Sequence, residues 1–353
     1  MIYRVYIGGY TGPQNKGITV CDLDSRTGRL SNPRLAAETP NPSFLAIHPE
    51  GKFLYAANEL DGDGAGWDRL TGFAIDPATG FLAEINQHPS GGLGPCHVSL
   101  DPSGKVLLAA NYGSGSICSV SVDDQGRMGP AGTVIQHHGS GPDHERQEGP
   151  HAHGIYTDAS GAWALAVDLG LDRVLVYALD AAGGTMAAEP ACVGVAPAGA
   201  GPRHLAWSND GRRVYVVNEM AASVSVFAWD AAAPALTAVQ TVSCYPREYR
   251  GARSAAEVVL HPGGRFVFVS NRGDNSITTM AVGSDGTLNV HASSPCGGKS
   301  PRHIFLTPGA EWMLVSNQDS GNVAVMKVNA QTGAIEPTGS QVQVSKATCA
   351  IVA

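Results

Sequence analysis

Residues 203–229 read RHLAWSNDGRRVYVVNEMAASVSVFAW. Apolar and polar residues alternate over HLAW, the turn signal SNDG follows, a hydrophobic run VYVV ends at Asn218–Glu219, and SVSVFAW alternates again. Period two sends successive side chains to opposite faces of an extended strand and cannot make the single apolar stripe of a helix. The same order recurs in SFLAIHPEGKFLYAANEL from Ser43, CHVSLDPSGKVLLAANYGSGSICSVSV from Cys96 and HAHGIYTDASGAWALAVDLGLDRVLVYAL from His151. It returns in AAEVVLHPGGRFVFVSNRGDNSITTMAV from Ala255 and RHIFLTPGAEWMLVSNQDSGNVAVMKV from Arg302. The equivalent polar residues Asn58, Asn111, Asp168, Asn218, Asn271 and Asn317 are separated by 53, 57, 50, 53 and 46 residues. Each unit also has room for a more variable fourth strand, such as ALTAVQTV from Ala235.

Four strands in about fifty residues is the signature of a propeller blade. Six units are explicit, and the two ends supply a seventh. YRVYIGG and GITVCDLD have the character of the second and third strands of a blade, and ATCAIVA at the other end has that of its missing innermost strand. The expected fold is therefore all-β: a seven-bladed β-propeller with four-stranded blades, closed by strands from both termini, one domain over residues 1–353. Closure also removes the exposed edges of an open array. An open two-sheet sandwich is the alternative, and it explains the regular spacing poorly.

Composition narrows the function classes. Hydrophobic residues make up 43% and charged residues 15%, a globular balance rather than a disordered one. The 44 glycines and 22 prolines suit short strands joined by tight turns. A net charge of -8 without a basic block argues against a nucleic-acid partner. MIYRVYIGGYTG has neither the basic start nor the apolar stretch of a secretory signal, and no later run has the length of a membrane span, so no membrane partner is expected. The seven cysteines are scattered without a CxxC pair, which supports neither a zinc knuckle nor a redox couple. Cys118 and Cys192 read as buried, inert thiols, and a reducing cytoplasmic location fits.

Propeller geometry then places the polar residues. In each blade the innermost strand runs from a start such as GPRH to its turn, and the next strand returns to end at NE, NY or NR. Starts and returns therefore share one face, around the mouth of the central channel. His151 meets the region of Asp168 there and Arg203 meets Glu219, while other blades supply Arg272 and Arg302. Arg250 and Arg253 lie nearby in the insertion CYPREYRGARSAAE. A lone surface arginine is normally solvated, but three aimed inward from different blades require carboxylates or a bound anion. Glu219 can neutralise only part of that set, so a small anionic molecule is the expected partner. Beside Arg203 the Glu219 pKa should fall, although the similar pair Asn58–Glu59 allows a glutamate that merely caps a turn. Glu257 and Glu148 are further acidic candidates.

The stretch QEGPHAHG, residues 147–154, sets His151 two positions before His153 at the start of an inner strand, where their side chains share a face. Zinc would need a third ligand. Asp168, Asp172, Glu148 or His204 offers one, yet no HExxH or cysteine pattern selects any of them; no metal and no cofactor is expected. His97, His204 and His303 recur at matching strand starts, which favours structural bonds to neighbouring blades. His151 differs by the extra imidazole, and a group titrating near neutrality suits proton transfer. Trp67 in DGDGAGWDR is placed near the mouth; that loop superficially suggests calcium but lacks EF-hand spacing. The remaining tryptophans read as blade packing.

VYIGGYT, GPCHVSLDPSGK, GPHAHGI, GPRHLAW followed by VYVVNE, RSAAE, FVFVSNRGDNSI, and PRHIFLTP followed by SNQDSGNV together resemble, nearly end to end, the seven-bladed propeller lactonases. That is the family of the bacterial propeller-type 6-phosphogluconolactonase and the fungal 3-carboxymuconate-lactonising enzyme. The resemblance implies a catalytic histidine, two arginines and a glutamate, corresponding here to His151, Arg203, Arg272 and Glu219, with His153 a rival for the histidine. Substrate contacts are expected from His153, Arg302, Arg253, Glu257, Asn111 and Asp168.

The implied reaction is hydrolysis of a sugar-acid lactone, 6-phosphogluconolactone or a related anionic aldonolactone. His151, or Glu219 directly or by orienting water, would be the base, and Arg203 and Arg272 would hold the oxyanion at roughly 3 to 4 kcal/mol per donor. A muconate-type cyclase would use the same groups in the opposite direction. A non-enzymatic binding platform is the reading from another class, since fold does not determine function; it should show apolar or aromatic patches on the rim rather than charge gathered in a pocket.

Overall fold

The computed structural model describes residues 1–60 and 68–353. Trp67 and the calcium-like part of its loop lie outside the described residues. Every regular element among the described residues is a strand, and the strands form seven separate sheets. The innermost strands are Pro42–Ile47, Pro95–Leu100, Ala152–Thr157, Pro202–Trp207, Ala255–Leu260, Pro301–Leu306 and Ala347–Val352. Six sheets run simply from inside to outside through four antiparallel strands. In the blade that starts at Ala152 the outer position is shared by two short pieces, Thr185–Met186 and Cys192–Val195, which pair with opposite ends of Arg173–Asp180.

The ring closes through the termini. Ala347–Val352 pairs antiparallel with Ile2–Gly9, in the register Val5 to Val352 and Ile7 to Ala350. Thr348 Oγ1 then donates to Ser43 O at 2.7 Å, tying the closing strand to the next blade.

Seven apolar clusters fill the seven blade-to-blade interfaces. Val216, Val217 and their neighbours show the consequence: the second strand of a blade is covered on both faces, so Val214–Asn218 is buried at every position. This is why VYVV reads as a continuous hydrophobic run while the outer strands alternate. Six of the seven second strands end on a fully buried polar residue that locks the blade top, the exception being Ile2–Gly9 of the closing blade. Asn218 Nδ2 donates to Ser223 Oγ and Ser225 Oγ, both at 2.9 Å, and Asn271 repeats the pattern with Ser276 and Thr278.

Candidate active site at the channel mouth

Two local features aim side chains at the channel. The first is a bulge one residue into the inner strand: register slips between Pro42 and Phe44, Pro95 and His97, Ala152 and Gly154, Pro202 and His204, and Pro301 and His303. A bulge inserts one unpaired residue and re-aims its side chain. The inserted residues are Ser43, Cys96, His153, Arg203 and Arg302, and Thr348 holds the same place in the closing blade. The second feature is the return turn. The residue after each locking position donates its N–H to the residue just before or at the inner strand's start: Glu219 to Gly201 O at 2.6 Å, Arg272 to Ser254 O at 2.6 Å, Tyr112 to Gly94 O at 2.8 Å. Tyr10, Glu59, Leu169 and Gln318 occupy that position in the other blades.

These two tiers meet at Glu219. Its Oε2 lies 2.7 Å from Arg272 Nη2 and 3.2 Å from Arg203 Nε, and its Oε1 accepts from Arg146 Nη2 at 2.9 Å. Arg203 is 2% exposed and Glu219 6%, so this is a desolvated charge cluster. Burial would raise the Glu219 carboxyl, but Arg272, Arg203 and Arg146 outweigh it and hold it at about 2. Burial, then Arg302 and Arg272, draw Arg203 down to about 10, which leaves it charged at neutral pH. Among the described residues Arg272 Nε is a buried donor with no hydrogen-bond partner, and Arg203 Nε, although 3.2 Å from Glu219 Oε2, is not aligned to hydrogen-bond it. Arg302 forms a second node: Nη2 donates to the Tyr10 hydroxyl at 3.2 Å, which itself donates to Glu59 Oε1 at 2.9 Å.

His151 stands beside this cluster, just ahead of its strand. Its Nδ1 lies 2.9 Å from Tyr112 O, its ring stacks on the Tyr112 ring at 4.5 Å, and its Nε2 lies 3.2 Å from Glu148 Oε1. A carbonyl can only accept, so Nδ1 carries a proton; the Glu148 carboxylate is also an acceptor, so the Nε2 lone pair is open to a water only when that 58% exposed side chain turns away. The Tyr112 hydroxyl accepts from Arg146 Nη2 at 3.1 Å, linking the imidazole to the Glu219 cluster through one ring and one guanidinium. His153 packs edge-on to the same tyrosine but is buried against Cys96, with its pKa driven well below 6.5 by burial and then by Arg203.

Several expected substrate contacts are placed elsewhere. Asn111 is fully buried, its amide spent on Ser90 O and Ser116 Oγ. Asp168 is also fully buried; Oδ1 accepts from the His151 and Leu171 N–H groups and Oδ2 lies 2.6 Å from His137 Nδ1. Both are blade locks, and Asp168 acts on the site only by holding the His151 backbone. Arg253 lies over the stacked Tyr245 and Tyr249 rings, with its centre 5.5 and 5.7 Å from them, and is not brought to Glu219. Glu257 sits one tier deeper, 2.8 Å from His204 Nδ1, in a layer where Phe44, His97, His204 and His303 pack ring to ring. Cys192 is partly exposed rather than enclosed, whereas Cys118 is buried.

Below that layer a cavity of about 780 Å³ opens on the opposite face, between residues such as Leu100, Trp207, Leu260 and Phe305. Its walls are mainly apolar, with Glu257, His97 and His303 among the few polar groups lining it. Carbonyl chemistry on an anion needs cationic donors, and those stand at the mouth, which is the better candidate. Among the described residues no group of three or more His, Cys, Asp or Glu side chains is disposed to hold a metal ion. None of the described residues forms a helix long and apolar enough to cross a membrane.

Arg146, Tyr112, Tyr10 and Glu59 were not singled out as site residues from sequence. Tyr112 and Glu59 hold the return-turn position of Glu219 and Arg272, one residue past the repeated asparagine, so the repeat itself carried their signal; Tyr10 holds it after Gly9 in the closing blade. Arg146 lies in the irregular segment between the strands Met128–Gln136 and Ala152–Thr157, where no periodicity points to it.

A seven-bladed ring with this ionic mouth defines a propeller hydrolase architecture, and the chain belongs to the family described as "Lactonase, 7-bladed beta-propeller", whose profile covers residues 4–352. Among its relatives, a 6-phosphogluconolactonase of Bacillus subtilis is 33% identical over 280 residues, 79% of this chain and 78% of that protein. A 6-phosphogluconolactonase of Formosa agariphila is 29% identical over 297 residues, 82% of each chain. The structure of the periplasmic gluconolactonase PpgL of Pseudomonas aeruginosa matches with a TM-score of 0.91 at 31% identity, over 100% of this chain and 99% of that one.

Proposed function

We propose that the chain hydrolyses a sugar-acid lactone, with 6-phosphogluconolactone or a related anionic aldonolactone as substrate. The observation that carries this reading is the convergence of Arg203 and Arg272, from adjacent blades, on one oxygen of Glu219, with the Arg272 Nε–H left without a hydrogen-bond partner among the described residues. Preorganised cationic donors stabilise an oxyanion without having to reorganise during reaction.

The chemistry then divides between two sides. His151 Nε2 removes a proton from water as the oxygen attacks the lactone carbonyl, and Arg203 and Arg272 take the negative charge of the tetrahedral intermediate. Its collapse breaks the ring C–O bond, and the imidazolium returns its proton to the departing alkoxide. Glu219, held at about 2, is too weak a base for the first step; it balances and orients the arginines instead. Arg302, held by Tyr10, is a substrate contact rather than a participant in the chemistry.

A panel of 6-phosphogluconolactone, gluconolactone, aldaric lactones and a carboxymuconate, each with and without chelator, tests the assignment. Turnover of the anionic lactones is expected, insensitive to chelation. Turnover left intact by Arg203→Ala, Glu219→Gln and Arg272→Ala alike would remove the site from the reaction. The scattered thiols support a reducing, cytoplasmic setting, and cell fractionation that recovers the protein from the periplasm would overturn it.

A further inference from the structure

We infer that Arg146 is the specificity-determining guanidinium of this site: it leaves Glu219 to bind the charged tail of an anionic lactone. This rests on the lactonase reading above and goes beyond it by naming the group that discriminates charged from neutral substrates.

The three arginines on Glu219 are not equivalent. The Arg203 side chain is 3% exposed and that of Arg272 16%, whereas that of Arg146 is 45% exposed. Arg203 also donates to Ala256 O at 2.7 Å and Arg272 to Ala255 O at 3.2 Å, so both are tied to the neighbouring inner strand. Among the described residues the Arg146 guanidinium hydrogen-bonds to Glu219 Oε1 and the Tyr112 hydroxyl alone. Moving either inner arginine would strand a buried charge, a costly event. Moving Arg146 would not, because Glu219 Oε2 keeps both inner partners and the departing guanidinium is already half in water. The carboxylate therefore stays ionised and the oxyanion donors stay in place.

The backbone beneath Arg146 is nevertheless fixed. Its neighbour Gln147 is fully buried, with Nε2 donating to Leu169 O and Asp172 Oδ1, both at 2.8 Å, and Asp143 Oδ1 accepts from the Arg146 N–H at 3.0 Å. A half-exposed side chain on an anchored backbone can change partners at little entropic cost to the loop. Its position, in contact with the tyrosine that carries His151 on one side and with Glu219 on the other, lies between the proposed base and the oxyanion arginines. A planar guanidinium there can donate in parallel to two phosphate or carboxylate oxygens.

The test compares kcat/KM for 6-phosphogluconolactone and for uncharged glucono-δ-lactone in the wild type, Arg146→Gln and Arg146→Lys. The ratio of the two values should fall by about 10- to 100-fold in Arg146→Gln, as expected for loss of a charge-assisted pair, and recover in part in Arg146→Lys. Inorganic phosphate should inhibit glucono-δ-lactone hydrolysis more weakly in Arg146→Gln by a similar factor. Equal losses on both substrates would assign Arg146 to positioning Glu219 and overturn the inference. If the wild type opens neither lactone, the lactonase reading fails separately. Calorimetric titration of the wild type and Arg146→Gln with phosphate then decides the matter, equal affinities overturning the role of Arg146 and a weaker variant upholding it.

Discussion

Arg203 lies in the first strand of a blade and Glu219 in the turn that follows its second strand, and two local irregularities bring them together: a bulge that turns Arg203 inward and a return turn that hydrogen-bonds Glu219 N–H to Gly201 O. The resulting 3.2 Å contact is buried, so each charge depends on the other for compensation.

Replacing Glu219 with glutamine should therefore damage more than turnover. Removing one partner of a buried ion pair typically costs about 3 to 5 kcal/mol, and here two inner guanidiniums lose their counter-charge. Urea unfolding is expected to shift its midpoint down without a change of slope. An unshifted midpoint would mean that solvent already screens the cluster.

Stability should fall with acid in two stages. Glu219 is held at about 2 against 4.5 for the free side chain. A folded value below the unfolded one means that the unfolded chain takes the proton first. The contribution of Glu219 is thus complete above about pH 4.5, vanishes toward pH 2, and amounts to about 3 kcal/mol. His97, His153 and His204 lie well below 6.5, burial being the main cause. Their sign is the same, so stability begins to decline as pH drops through 6.5, before the carboxylates titrate. Urea midpoints measured across this range check both stages. A midpoint constant from pH 7 to about pH 5 would show that the imidazoles gain no net penalty from the fold.

Arg272→Ala is the cleaner test of oxyanion stabilisation, because Arg272 is less buried than Arg203 and the loss of its packing matters less. Its kcat is expected to fall by about 10² to 10³. Arg203→Ala should add a loss of thermal stability that Arg272→Ala does not, read by calorimetry.

His151→Asn should lower kcat by about 10² to 10⁴, the usual contribution of a positioned acid–base group. The same variant in His153, buried against Cys96, should alter stability more than kcat; the reverse outcome would exchange their roles.

Removal of residues 347–353 should abolish cooperative folding. The deletion takes away the inner strand that pairs with Ile2–Gly9 and the Thr348 tie to Ser43, leaving an unpaired edge at the centre of the ring. Near-ultraviolet dichroism and thermal unfolding report the outcome.

Blade number, strand order and closure were readable from period-two alternation and the spacing of Asn58 through Asn317, since these follow from local backbone geometry and repeat six times. Arg203, Glu219 and Arg272 were legible as mouth residues for the same reason. Asn111 and Asp168 were not, because alternation cannot say whether a strand's last polar residue turns inward to lock its blade or outward to the channel. The side chain that turns to the mouth is one position later, as Tyr112 shows.

Register and repetition thus settle the architecture from the chain alone, being properties of near neighbours. Which charges share a partner was settled by packing: Arg146, 73 residues from Glu219, reaches it across an irregular loop that carries no period. The choice of His151 over His153 as the group facing solvent was likewise made by the Tyr112 ring and carbonyl, contacts set by how one blade lies against the next.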